Sequence, residues 1–196
     1  GLGDVYKRQG VDYNHPDLAG NYVPLGYDWV NNDEDPMDDN GHGTHCAGIA
    51  VAVTNNDQGI AGTAQVQFLA EKGLDRYGSG WSFDLAQAII HAVDAGANII
   101  SLSWGLNEHS SILYDSIKYA HEKGVLIVAS SGNDGDDVDN YPAAYEEVIA
   151  VSATNKFDDT ASFTNYGEWI EVAAPGVDIL STYPNNYYTV SSGTSM

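Results

Sequence analysis

Short apolar runs alternate with segments of helical period along this chain, and that alternation is what most limits its fold. Val66-Gln67-Phe68-Leu69-Ala70 reads as a strand. Ser82 then offers an N-cap for a helix whose Phe83, Ala86, Ile89, Ile90 and Val93 share one face, with Gly96 as its stop. Residues 98–103 make the next strand. Residues 111–123 make a helix with Ile112, Ile117 and Ala120 inward, ended by Gly124. Residues 125–129 and 148–151 are two further apolar strands. Strands buried on both faces and joined by helices of this length imply right-handed crossovers and a parallel sheet covered on both sides. Sites in such sheets form at the carboxyl ends of strands. Ser103-Trp104-Gly105 and Asn133 both fall just past strand ends. At 196 residues and 43% apolar content, one domain with a substantial core is expected.

Three small-residue motifs carry chemistry. The first is Asn40-Gly41-His42-Gly43-Thr44-His45-Cys46-Ala47-Gly48, leading into an apolar helical run to Val53. The second is Ala129-Ser130-Ser131-Gly132-Asn133-Asp134-Gly135, and the third is Ser192-Gly193-Thr194-Ser195-Met196. A Ser in a tight turn, a Gly-flanked His and a Gly-flanked Asn are the parts of an acyl-transfer site: nucleophile, proton acceptor and oxyanion donor. Each has a bland alternative. A lone His beside Gly is commonly structural, an Asn in a Gly loop tolerates left-handed turns, and an isolated Gly-Thr-Ser says nothing. A zinc reading of His42 and His45 lacks a third ligand at useful spacing.

In this order and with these flanks, together with Ala173-Ala174-Pro175-Gly176 and Ser181-Thr182-Tyr183, the motifs resemble the subtilisin-like serine proteases (subtilases), and among them the thermitase-like members. The resemblance runs from about Gly10 to Met196. It implies a three-layer subtilisin-like α/β fold, a mostly parallel sheet with helices on both faces, incomplete at both ends. It implies a serine endopeptidase acting through an acyl-enzyme, with Ser195 as nucleophile, His42 as general base and Asn133 as oxyanion donor. His45 would be structural. Cys46 would be a small buried residue lying under the active-site His, as in thiol-containing subtilases. Substrate would lie as an extended strand against Gly78, Ser79 and Gly80 and against Ser103, Trp104 and Gly105. The pocket for the residue before the scissile bond would be walled by Ser103 to Gly105 and by Ala129, Ser130, Ser131 and Gly132, roomy and apolar.

Residues 1–9 break the resemblance. Counting back from Gly10, the position of the triad Asp holds Arg8. The run places two of the seven Lys/Arg residues where a buried central strand belongs, and it lacks that strand's apolar character. The expectation is that this nonapeptide is foreign to the catalytic domain of residues 10–196. The sheet would then lack its first strand, and the chain as written would be inactive and poorly stable, the more so without the helix that follows Ser195 in the family. Asp12 is no substitute, standing roughly 13 Å further along an extended chain. The alternative is a catalytically dead subtilase-fold module that binds extended peptides, with Arg8 genuine.

Charge narrows the partners. Asp and Glu number 28 against 7 Lys and Arg, a net charge of −21. Phosphate backbones and anionic membranes repel such a chain, and no apolar stretch reaches spanning length. A soluble acidic surface is the plain reading; a salt-adapted secreted enzyme and calcium binding are the sharper ones. Two structural Ca²⁺ loops are suggested. In one, the resemblance implies Asp28, Asp33 and Asp35 as ligands, with Met37 where the family has another oxygen. In the other it implies Asp17 with Val53, Asn56, Gln58 and Ile60. Solvated acidic surface is the alternative for both. The family further implies a secreted, monomeric enzyme made with its own pro-segment and acting on proteins and peptides. The single Cys46 excludes an internal disulfide without deciding the compartment.

Overall fold

The computed structural model describes residues 2–8 and 10–196; for 2–8 only the backbone is considered. Strands β1 (Leu2–Arg8), β2 (Tyr27–Asp28), β3 (Gln67–Lys72), β4 (Ala97–Leu102), β5 (Leu126–Ser130), β6 (Ile149–Thr154) and β7 (Val172–Pro175) form one sheet in the order β2-β3-β1-β4-β5-β6-β7. Every neighbouring pair in it is parallel. A separate antiparallel hairpin, β8 (Ile179–Tyr183) and β9 (Tyr187–Ser191), leads to the C-terminal turn. The helices are α1 (His42–Val51), α2 (Ser82–Asp94) and α3 (Ser111–Glu122).

Alternate residues of a strand face opposite sides, and β3 displays this. Leu69 joins a core with Leu85, Ile89, Ile100, Leu102, Leu113, Ile117 and Ile127, beneath α2 and α3. Phe68 and Ala70 join the opposite core with Cys46, Ala47 and Val51 of α1, plus Val11 and Leu18. The three expected layers are therefore present.

Three expectations are corrected. First, the sheet's centre is filled. Leu2–Arg8 lies between β3 and β4, with Val5 opposite Leu69 and Ile100 and Arg8 opposite Lys72. The apolar criterion failed because ladder bonds are made by backbone N–H and C=O groups, which any sequence carries, and the facing edges of β3 and β4 both require partners. Second, Trp81 rather than Ser82 holds the N-cap of α2, with no side-chain capping bond. Third, two helix faces are rotated. In α2 the buried residues are Leu85, Ala86, Ala88, Ile89 and Ala92, while Phe83 is exposed. In α3 they are Leu113, Ser116, Ile117 and Ala120, while Ile112 is exposed. Small alanines fit where the helices approach each other and the sheet closely, so volume overrides hydrophobicity in choosing the inward face.

Candidate active site

Helix α1 carries His42 as its first residue, behind Gly41 in the left-handed region (φ 108°). Gly41 offers no side chain to cap the helix, and Asp38 does that work. Its Oδ1 accepts the N–H groups of Asn40 (2.9 Å) and Gly41 (2.8 Å), and its Oδ2 accepts Thr44 N–H (3.0 Å) and Thr44 Oγ1–H (2.5 Å). Asp38 is buried, and burial pushes its carboxyl up despite these four donors. Gly43 is dictated by packing: a Cβ there would run into the Gly10 carbonyl oxygen. The other side of α1 is gripped by the hairpin. Ser181 Oγ donates to His45 O (2.6 Å) and Thr182 Oγ1 to Thr44 O (2.7 Å). His45 is structural in this geometry. Its buried ring reaches the carbonyls of Ile179 (3.1 Å) and Thr189 (3.2 Å) through Nε2, and burial holds its pKa down, toward the neutral form.

Cys46 lies one turn beyond His42, and its Sγ is 3.5 Å from His42 Nδ1, 3.8 Å from Nε2 and 3.3 Å from the Ser195 carbonyl oxygen. The thiol thus sits against the imidazole and the segment bearing Ser195, as the sequence suggested.

The Ser195 turn is tied back to the strand ends. Gly193 N–H donates to Gly176 O (2.8 Å), and Gly132 N–H donates to Thr194 Oγ1 (3.2 Å). Asn133 Oδ1 accepts Thr194 N–H (2.9 Å) and Thr194 Oγ1–H (3.1 Å). With its oxygen so engaged, the amide has only Nδ2 left to offer, as a donor. The Asn133 loop itself is shaped by buried Asn165, whose Oδ1 accepts Asp134 N–H (2.8 Å) and Gly135 N–H (3.0 Å).

Beside Asn133 and Ser195 opens a cavity of about 210 Å³, lined by Trp104, Gly105, Asn107, Ser130, Gly132, Asn133, Asp134, Asn140 and Ser195. Of the expected walls, Trp104, Gly105, Ser130 and Gly132 line it; Ser103, Ala129 and Ser131 lie buried behind. The pocket is tighter and more polar than expected. The reason is Asn140, a residue the motifs do not flag, which donates to Ser130 O (3.3 Å) and lies where a side chain on Gly105 would be. Gly78 takes a left-handed turn (φ 81°) in a loop tied together by Asp75. Asp75 Oδ1 accepts Tyr77 N–H (2.9 Å) and Ser79 N–H (3.0 Å), and Asn40 Nδ2 joins the loop to the His42 segment through Arg76 O (2.8 Å).

Arg8 closes β1 at the carboxyl end of the sheet; its side chain, like Gln9 as a whole, lies outside the described residues. Asp12 is engaged with its own neighbours. Its oxygens accept Asn14 N–H (3.2 Å) and Asn185 N–H (2.9 Å).

The two loops expected to hold calcium differ. Asp28 is held by donors of its own chain. Its oxygens accept Val30 N–H, Asn31 N–H and Asn31 Nδ2–H (each 2.9 Å), and Lys72 Nζ forms a buried ion pair with it at 3.0 Å. Asp33 Oδ1 accepts Asp35 N–H, and Asp35 Oδ1 accepts Tyr13 Oη–H. That hydrogen bond, with burial and the negative charge of Asp35, raises the Tyr13 pKa to about 12. Within this loop the Lys72 ammonium pairs with Asp28. Burial alone would lower the Lys72 pKa, but Asp28 and Asp39 outweigh it and the pKa is raised. Around Asp17 the donors converge. Its fully buried carboxylate meets Asn56 Nδ2 (2.7 Å), Ile60 N–H (3.0 Å) and Tyr188 Oη–H (2.9 Å). Burial works to raise its pKa, and these hydrogen bonds overcome it and lower it. Among the described residues, no three His, Cys, Asp or Glu side chains gather as a metal shell.

Residues 9–196 match the Subtilase family. The chain belongs to that family. It is 54% identical over 188 residues to the thermophilic serine proteinase of Bacillus sp. (strain AK1), a match covering 95% of this chain and 47% of that protein. It is 52% identical over 188 residues to thermitase of Thermoactinomyces vulgaris, covering 95% and 67%. Among solved structures, a cold-adapted subtilisin-like serine proteinase superposes with a TM-score of 0.90 at 29% identity, covering 100% of this chain and 70% of that one. The chain thus spans about half to two thirds of the length of these curated relatives. Its family is that of the subtilisin-like serine endopeptidases, and its fold is theirs.

Proposed function

We propose that this subtilase chain carries the peptide-hydrolysing centre of a secreted, broad-specificity serine endopeptidase. Ser195 Oγ attacks the scissile carbonyl, passing its proton to His42. Asn133 Nδ2 and the Ser195 N–H hold the oxyanion, the amine leaves with the proton from His42, and water repeats the cycle on the acyl-enzyme. The observation that carries the reading is the anchoring of Asn133 Oδ1 by Thr194, which aims a fixed amide donor beside Ser195. The substrate's preceding side chain enters the pocket over Asn140, which favours residues smaller than the largest aromatics. Proteins and peptides are the substrates, and the enzyme's own pro-segment is its first partner.

By the family's motif Arg8 stands where the triad Asp belongs, and a cationic side chain at that position would neither fix the His42 tautomer nor stabilise its imidazolium. The same loss in subtilisin costs about 3 × 10⁴ in turnover. The chain as written is therefore a slow enzyme whose architecture is competent. The test is casein hydrolysis and labelling of Ser195 by a fluorophosphonate, before and after Arg8→Asp. Strong labelling and hydrolysis only after the change support the proposal. A protein that folds and remains unlabelled in both forms overturns it and favours a peptide-binding module.

For calcium, the Asp17 site is the better candidate, because its carboxylate meets only neutral donors whereas Asp28 is paired with the Lys72 ammonium. Asp17 and Asn56, with carbonyls of Val53, Gln58 and Ile60, would hold Ca²⁺, which would add a link between the loop after α1 and the segment before it. Metal that binds only the folded chain raises its melting temperature by mass action. Melts of Ser195→Ala with calcium and with chelator check this, and identical curves remove it.

A further inference from the structure

The loop that precedes α2 and the first turn of that helix present three large aromatic side chains to solvent. Tyr77 is 84% exposed, Trp81 78% and Phe83 58%, which is unusual for so short a segment. Behind Trp81 opens a cavity of about 430 Å³, lined by Val30, Asp75, Ser79, Gly80, Trp81 and Asp84. It is separate from the pocket beside Ser195, yet it shares Ser79 and Gly80 with the edge proposed to receive substrate backbone. From this we infer that the cavity is an accessory substrate site that takes the basic side chain, arginine or lysine, of an extended peptide lying along residues 78–80. The inference deepens the peptide-binding part of the proposed function and rests on it.

The wall chemistry selects the occupant. An indole face, an exposed Val30 and two carboxylates with no cationic side chain in the lining favour a cation over an anion. The Asp84 carboxylate has no hydrogen bond or ion pair among the described residues, and Asp75 uses only Oδ1 within its loop. A guanidinium stacks flat on an indole while its edge donates to carboxylates; a methylene stem covers the apolar part. The first turn of α2 gives Asp84 a reason to be anionic, but it gives none for the exposed indole next to it. The chain's net charge of −21 adds a long-range attraction for cationic segments. The walls are preformed. Besides the two bonds to Asp75 Oδ1, Asp75 N–H donates to Ser79 O (2.8 Å) and Gly78 N–H to Asp75 O (2.9 Å). Peptide binding therefore does not have to order the loop.

The test is binding, so it does not depend on turnover. Ser195→Ala protein is titrated with N-acetylated, alanine-based hexapeptide amides that carry one arginine at successive positions. A matched series carries citrulline, which has nearly the same shape and no charge. One register should bind about tenfold more tightly with arginine than with citrulline, a difference of about 1.4 kcal/mol, and raised salt should shrink it. Trp81→Ala and Asp84→Asn should each reduce that preference to within about twofold. Asp75 is left intact because it shapes the loop. Equal binding of the two series at every register overturns the inference. So does an arginine preference that survives both substitutions, or an absence of binding by either series. Fluorophosphonate labelling of Ser195 in the Arg8→Asp protein separates the two proposals. Labelled protein without an arginine preference removes only the accessory site, and unlabelled protein with the preference removes only the hydrolytic reading.

Discussion

Helix α1 and the pair α2 and α3 cover opposite faces of one sheet and are held there by different forces. Helices α2 and α3 lie on a continuous apolar core reaching from Leu69 to Ile127. Helix α1 rests on a smaller core and is otherwise fastened by directed polar bonds: Asp38 at its start, and Ser181 and Thr182 along its backbone. Close approach completes the hold, at Gly43 against the Gly10 carbonyl and at Gly48 against Ser181 and Thr182. Apolar packing is non-directional and tolerates small shifts. Hydrogen bonds with fixed partners tolerate less, and an ångström of misplacement in a catalytic group can cost about a hundredfold. The helix that carries His42 is the one held by position-specific contacts.

That contrast can be broken by substitution, with stability read by urea melts and site geometry by labelling of Ser195 in the Arg8→Asp background. Ile89→Ala, in a fully buried position under α2, should cost about 3 kcal/mol of stability and leave the labelling rate unchanged. A fall in labelling equal to that of an α1 variant would dissolve the distinction. Asp38→Ala orphans the N–H groups of Asn40, Gly41 and Thr44. It should cost about 2 kcal/mol and, unlike Ile89→Ala, should slow labelling by about tenfold; unaltered labelling would mean His42 is positioned by something else. Thr182→Val removes one bond from the hairpin to α1 and should cost about 1 kcal/mol, with a smaller slowing of labelling.

The smallest effect is that of pH at Asp17. Its pKa is lower in the folded chain than in the unfolded one. Its contribution is therefore fully present above the ordinary carboxylate range and is lost as pH falls through the depressed folded value. Asn56→Ala should flatten the stability curve below the ordinary carboxylate range by about half a kcal/mol. Parallel curves for the two proteins would show that Asn56 does not hold the carboxylate.

Much of this was legible in the chain. The alternation of strands and helices and the placement of Asn133 and Trp104 past strand ends follow from period and punctuation, and His42 at a helix start from the family resemblance. Those signals are local, because they depend on residues within a turn or a strand of one another. Asp38, Asn140 and Asn165 left no such signal. Each looks like an ordinary loop polar residue and matters because the fold buries it against backbone groups distant in sequence: Asn165 lies some thirty residues from the loop it shapes. The Asp28 loop shows the same limit from the other side. Its carboxylates promised a cation, and nothing in the sequence signalled that the Lys72 ammonium, brought in from β3, would pair with Asp28.

The sequence by itself determined the family and the layered parallel fold and nominated the acyl-transfer groups, because those reside in composition, period and the order of short motifs. Only the tertiary structure decided that residues 2–8 complete the sheet, that Asn140 narrows the pocket, that Thr194 turns the Asn133 amide, and that an indole and two carboxylates frame a second cavity. Each of these depends on which distant backbone edge or side chain comes within about 3 Å, the range of hydrogen bonds and van der Waals contact, and no local pattern encodes that distance.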